Sequence, residues 1–227
     1  MLDTFFESPR RIEATSARAE PRRRSGQRFY PAVKRVLDVV LVLLGGALLL
    51  PLILILAALI SLDGTSPFYL QPRLGRNGRV FRLWKLRTMV PDAEARLAGH
   101  LAANPAARAE WDSNQKLKHD PRLTTLGRHL RRYSLDELPQ LWNVLVGDMS
   151  LVGPRPMLPA QRYLYPGTAY FDLRPGLTGP WQVSARNSCS FAERAGYDNL
   201  YAQTISATTD LRILMRTVSV VFQGTGV

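Results

Sequence analysis

The chain has 227 residues, a formal charge of +12 and 46% apolar residues. That length suits one domain with appendages, and the charge asks for an acidic partner: nucleic acid, an anionic membrane or a phosphorylated substrate. A single cysteine, Cys189, excludes an internal disulfide framework, and the histidines His100, His119 and His129 lack zinc-ligand spacing, which argues against a zinc enzyme.

Residues 1–33 read as a disordered basic tail, rich in Arg, Glu, Ser and Pro and without apolar periodicity. Its "RRR", Arg22 to Arg24, suits either anionic lipid or plain solvation. Residues 34–63 follow as a membrane segment. From Val39 to Leu62 the run "VVLVLLGGALLLPLILILAALISL" holds 24 residues without a charge, bracketed by Asp38 and Asp63. At about 1.5 Å per residue, such a helix matches a hydrocarbon core of about 30 Å. It is too long and too far from the N-terminus for a cleaved signal. Two features favour a helix that enters, bends and returns on one face over a simple span. Pro51 interrupts helical hydrogen bonding at the midpoint. Both flanks are basic, with Lys34 and Arg35 before and Arg73, Arg76, Arg79, Arg82, Lys85 and Arg87 after, and such residues stay cytoplasmic.

Residues 64–227 form the remaining domain. "RNG", Arg76 to Gly78, is a turn, and "RVFRLWKLRTM" after it reads as a short strand, although its basic residues match neither strand nor helix period. Residues 92–120 are Ala-rich and helix-prone, broken at Pro105. "LTTLGRHLRR" spaces its leucines as a helix, and "LPQLWNVL" is a further helix ended by Gly147. Turns dominate 147–187, with Gly75, Gly176 and Gly179 expected to serve turns. "TTDLRILMRTVSVVF" begins with a Thr/Asp cap and fits either an interfacial helix or a terminal helix docked on the core.

Between basic stretches lies "YSLDELPQLW", with Asp136 beside Glu137. One reading is local. Ser134-x-x-Glu137 matches a capping box, but Pro139 belongs in a first helical turn, which moves the cap to Asp136 or Glu137. The other reading is chemical. An aspartate nucleophile beside a second carboxylate can attack phosphorus, a helix N-terminus lowers its pKa and offers N–H groups to phosphate, and arginines and a hard cation neutralise the diphosphate.

Four ordered stretches carry a specific resemblance: "KRVLDVV" leading into the apolar run with Pro51, "DGTSPFYLQPRLGRNGRVFRLWKLRTM", "SLDELPQLWNVLVGDMSLVGPRP" and "RPGLTGPWQVSARN". From Lys34 to the C-terminus the chain resembles the bacterial sugar transferases, the monotopic polyprenyl-phosphate phosphoglycosyl transferases that start exopolysaccharide synthesis. The resemblance implies an α+β, mostly helical fold: a re-entrant membrane helix plus a cytoplasmic catalytic domain with amphipathic surface helices and a small sheet. It places the protein at the bacterial inner membrane, with UDP-sugar, undecaprenyl phosphate and membrane lipids as partners and self-association left open. It implies that Asp136 attacks the sugar-bearing phosphate of a UDP-sugar, expels UMP and passes the phosphosugar to undecaprenyl phosphate. Glu137 assists, as a ligand of Mg²⁺ together with Asp136 or in handling the acceptor. Lys85 and Arg87 would meet phosphate, Arg155 phosphate or uridine, Arg174 and Arg186 phosphate or uracil, and Gln182 the base; a structural role is the alternative for each. Galactose or glucose is the implied sugar. Ala185, where glycine is usual in the family, and Pro180, where an aliphatic residue is usual, fall in the implied nucleotide region and leave the sugar open. A membrane-tethered nucleic-acid-binding protein is the alternative by charge, but it leaves the acid pair unexplained and lacks a recognisable motif.

Overall fold

The computed structural model describes residues 29–114, 117–184 and 191–224. The first element, α1 (Tyr30–Ser61), is one helix of 32 residues that opens with Pro31 in its first turn and continues through Pro51. It begins inside the stretch expected to be a tail. It is long and apolar enough to cross a membrane, and only 11% of its most apolar window is buried against the protein.

Two regions of α1 nevertheless dock on the rest of the chain. Val42 packs with Phe81, Leu83, Val144 and Met149, whereas Leu56, Ala57 and Ile60 pack with Leu86 and Leu130. Between them Leu44, Leu48, Leu54 and Ile55 are exposed. Polar contacts reinforce both ends. Near the start, Lys34 pairs with Asp210 at 2.5 Å, Arg35 donates to the carbonyls of Val144 and Leu145, and buried Asp38 accepts from the Ser150 hydroxyl at 2.7 Å and the Leu151 amide at 3.1 Å. Near the end, Arg87 donates to the Ile60 carbonyl and to Asp63.

Strands β1 (Phe68–Leu74) and β2 (Val80–Leu86) form an antiparallel hairpin, with Phe68 opposite Leu86 and Leu74 opposite Val80. The expected "RNG" turn closes it: Asn77 and Gly78 have φ of 58° and 74°, the left-handed pair that matches strand twist. Helices α2 (Ala93–Ala103) and α3 (Pro105–Asn114) meet at Pro105, as the sequence implies. Then come α4 (Thr125–Arg132), a 3₁₀ turn (Leu135–Glu137) and α5 (Gln140–Val146), which ends at left-handed Gly147.

The stretch expected to be turn-rich also contains a small parallel sheet of β3 (Ser150–Val152) and β4 (Gly176–Thr178), and the short helices α6 (Ala169–Asp172) and α7 (Pro180–Val183). Gly176 and Gly179 are therefore not turn glycines. A Cβ on Gly176 would sit 2.1 Å from the Gly153 nitrogen, and one on Gly179 would sit 2.0 Å from the Gly153 oxygen. The backbones meet where only hydrogen fits. Helices α8 (Arg194–Thr204) and α9 (Ala207–Phe222) complete the fold. Ser206, not the Thr/Asp pair, caps α9 by accepting from the Thr209 amide. The described chain is thus mostly helical with two small two-stranded sheets. A core of Val152, Trp181, Tyr197, Tyr201 and Ile213 joins β3 to the last three helices.

Candidate active site

Three elements converge on Asp136 and Glu137. Strand β2 supplies Lys85. Phe81, Leu83 and Lys85 share one strand face by alternation, and the first two are buried, so the lysine is aimed at the core side. Leu86 faces the other way and is also covered, by α1 and α4. Covering both faces at this end of the strand explains why its residues follow no simple period.

Helix α5 is fixed against β2 by Asn143, whose buried amide accepts from the Trp84 N–H at 3.0 Å and donates to the Arg82 carbonyl at 2.8 Å. That clamp carries the preceding 3₁₀ turn to Lys85. Helix α4 arrives from the opposite side. Thr124 caps it, and Arg131 in its last turn donates through Nε to the Thr88 hydroxyl at 3.0 Å. Between α4 and the 3₁₀ turn, Ser134 adopts a left-handed φ of 56°, a conformation costing a non-glycine residue about 1–2 kcal/mol. It redirects the chain within a single residue. Neither Ser134 nor the acids act as side-chain caps, and Pro139 stands at the head of α5.

Lys85 Nζ lies 2.8 Å from Glu137 Oε1 and 3.7 Å from Asp136 Oδ2. Arg155 reaches to 3.8 Å from the same Glu137 oxygen and lies over the Trp181 ring, 5.8 Å from its centre. Arg73 stands behind. It donates to the Pro156 carbonyl at 3.1 Å and to Gln71, while burial and the neighbouring Arg155 push its pKa down to about 10.

The two acids have opposite electrostatics. Burial raises the Asp136 pKa, Lys85 opposes that rise and Glu137 adds to it. This reverses the expected helix-terminus effect, since Asp136 is buried in a 3₁₀ turn. For Glu137, burial also pushes upward, but Lys85 and Arg155 prevail and hold it at about 2. Asp136 is thus a relatively basic carboxylate beside a permanently ionised one, inside a ring of cations. Such a group is suited to nucleophilic attack on a phosphate whose charge the cations offset.

The structure brings together Asp136, Glu137, Lys85 and Arg155. Arg87 is engaged at the end of α1. Arg174 donates to the Gly147 carbonyl at 3.0 Å, at the far end of α5. Gln182 is buried beneath β4 and donates to the Leu177 carbonyl. Arg186 lies outside the described residues, as do Ala185, Cys189 and residues 1–28. Arg131, Arg73 and Asn143 join the site without having been singled out. The spacing of Arg131, five residues before Asp136, was the one available signal. Among the described residues no cluster of three or more His, Cys, Asp or Glu side chains converges on a point. A metal here would rest on the acid pair and on substrate phosphate.

The family model described as bacterial sugar transferase matches residues 29–224. The chain is 46% identical over 196 residues to a UDP-galactose-lipid carrier transferase of Erwinia amylovora, covering 86% of this chain and 41% of that protein. It is 44% identical over 191 residues to the exopolysaccharide production protein ExoY of Sinorhizobium fredii, covering 83% and 84%. It is 42% identical over 196 residues to an undecaprenyl-phosphate galactose phosphotransferase of Salmonella typhimurium, covering 86% and 41%. The chain therefore spans about two fifths of the first and third relatives and most of the second.

Proposed function

The chain belongs to the bacterial sugar transferase family, and on that premise we propose that it transfers sugar-1-phosphate from a UDP-sugar to undecaprenyl phosphate in the first step of exopolysaccharide synthesis. The observation that carries the proposal is the buried Asp136 carboxylate beside Glu137, with Lys85 2.8 Å from Glu137 and 3.7 Å from Asp136 and with Arg155 3.8 Å from Glu137. In the first step an Asp136 oxygen forms a bond to the sugar-bearing phosphorus. The phosphoanhydride bond breaks, and UMP leaves with the bridging oxygen and its electron pair. In the second step an undecaprenyl phosphate oxygen bonds to the same phosphorus, the aspartyl P–O bond breaks, and the carboxylate returns.

Glu137, held at about 2, is too weak a base to take a proton at neutral pH. A phosphomonoester is already largely ionised there, with a second pKa of about 6, so the acceptor needs no base. Glu137 instead holds Lys85 and Arg155, and these cations bind the phosphate oxygens of the donor. Asp136 and Glu137 fit Mg²⁺ as its protein ligands, because that ion takes one or two carboxylates plus substrate phosphates. When bound it supplies further neutralisation of the diphosphate.

The docking of α1 supports a re-entrant segment with the catalytic body on the cytoplasmic face of the inner membrane. A helix perpendicular to the bilayer puts its ends at opposite faces, yet one body holds Arg35, Asp38 and Val42 at one end and Leu56, Ile60 and the Ile60 carbonyl at the other. Val42 and Leu56 are about 21 Å apart along the helix, less than the hydrocarbon core of about 30 Å, so one body engages the apolar run near both of its ends. The test is donor alone. Protein incubated with UDP-galactose or UDP-glucose should release UMP and carry a hexose-phosphate adduct on Asp136 by peptide mass spectrometry. Product formation without an adduct on that peptide overturns the two-step scheme.

A further inference from the structure

A second basic cluster lies at the other end of α5, a helix about 10 Å long that starts three residues after Glu137. There a cavity of about 80 Å³ is lined by Lys34, Arg35 and Asp38 of α1, by Arg76 at the hairpin tip, and by Asp172 and Arg174. One water needs about 10–15 Å³ on this measure, so a tetrahedral anion has room.

Most of the charges have partners. Lys34 is engaged by Asp210, and Asp38 by Ser150 and Leu151. Arg35 donates to the carbonyls of Val144 and Leu145, and Arg174 donates through Nε to Gly147. These contacts satisfy the open end of α5. They leave the Nη groups of Arg174 and the whole guanidinium of Arg76 with no acceptor among the described residues. Asp172, exposed at the rim, forms no ion pair there with either arginine. Burial lowers the pKa of Arg174, and Arg35 and Arg76 lower it further, which is the sign of positive charge facing positive charge.

From this clustering of Arg35, Arg76 and Arg174 around a cavity of fitting size, we propose that the site binds a phosphoryl anion, supplied by a lipid headgroup or by free phosphate. Guanidinium forks match phosphate oxygens in geometry and charge. The cavity adjoins Asp38, the last charge before the apolar run, which is the level at which headgroups would meet α1. Capping of α5 accounts for Arg35 and Arg174 but not for Arg76, which donates to no carbonyl of α5 among the described residues. The inference stands apart from the transferase reading, because it uses neither Asp136 nor Glu137.

The test uses the full chain in detergent, with Arg155→Gln as background to weaken anion binding at the acid pair. Thermal melting is followed against inorganic phosphate, with chloride at equal ionic strength as control. Native mass spectrometry counts phosphatidylglycerol retained after extraction. Arg155→Gln alone should still melt at higher temperature as phosphate rises, or retain one lipid. Adding Arg76→Gln should raise the half-saturating phosphate concentration at least about tenfold, or remove that lipid, since a hydrogen bond to a charged group contributes about 1.5–3 kcal/mol. A phosphate response alone assigns a soluble anion, and lipid loss alone assigns a headgroup. Identical behaviour of the single and double variants in both measurements overturns the proposal. UMP release by Arg76→Gln, expected to persist, keeps this result separate from failure of the transferase reading.

Discussion

Among the described residues Lys85 is the cation in ion-pair contact with both acids, and Lys85→Met removes it. At 3.7 Å from Asp136 Oδ2 and an effective dielectric of about 20, its attraction for the ionised carboxylate is about 4 kcal/mol. The lysine side chain is 18% exposed, so solvent screening reduces that figure. Without Lys85, two adjacent carboxylates face each other in a buried site, and Asp136 is driven further toward its protonated form. Only the ionised form attacks phosphorus. Each 1.36 kcal/mol is a tenfold change in rate, so single-turnover UMP release at pH 7 should fall about 100-fold or more. The sign predicts a pH dependence: the loss should shrink as pH rises and the carboxylate ionises, and the acid limb of the profile should move upward. The assay is rapid-quench measurement of UMP from pH 6 to 9 for both proteins. An equal loss at every pH would refute charge balance at Asp136 and assign Lys85 to the donor phosphate alone. An unchanged rate would refute both roles.

Asp136→Asn should abolish adduct and product, because the amide lacks a nucleophilic oxyanion. It should also raise the melting temperature: a carboxyl whose folded pKa is raised favours the fold while protonated and loses that contribution as pH rises through the folded value, so the variant's advantage should grow with pH. Asn143→Ala leaves the Trp84 N–H and the Arg82 carbonyl without their partner, and should cost about 2–3 kcal/mol in chemical denaturation and lower kcat by loosening α5 against Lys85. Pro51→Ala restores a backbone donor at the middle of α1 and should shift it toward a span. In a Cys189→Ser background, a cysteine in the N-terminal tail should be unreactive to an impermeant thiol reagent on intact cells for the parent, and labelling of the parent would exclude the re-entrant topology.

The features fixed by local chemistry were legible in the chain itself. The apolar run of α1, the "NG" turn, the break at Pro105 and the stop at Gly147 depend on the preferences of a few neighbouring residues. The adjacency of Asp136 and Glu137 was legible too. What depends on distant backbone was not. The resemblance implies phosphate contacts for Arg87 and Arg174, but no spacing in the chain records that Arg87 also reaches the Ile60 carbonyl and Arg174 the Gly147 carbonyl. Gly176 and Gly179 look like turn glycines until Gly153 is brought against them. The direction of the Asp136 shift reversed because burial, a property of the assembled fold, outweighs the end of a short helix. Sequence thus determined the long apolar helix and the adjacent pair of carboxylates, through side-chain chemistry. Packing decided which cation faces which acid, because charges interact through distances that only the folded chain sets.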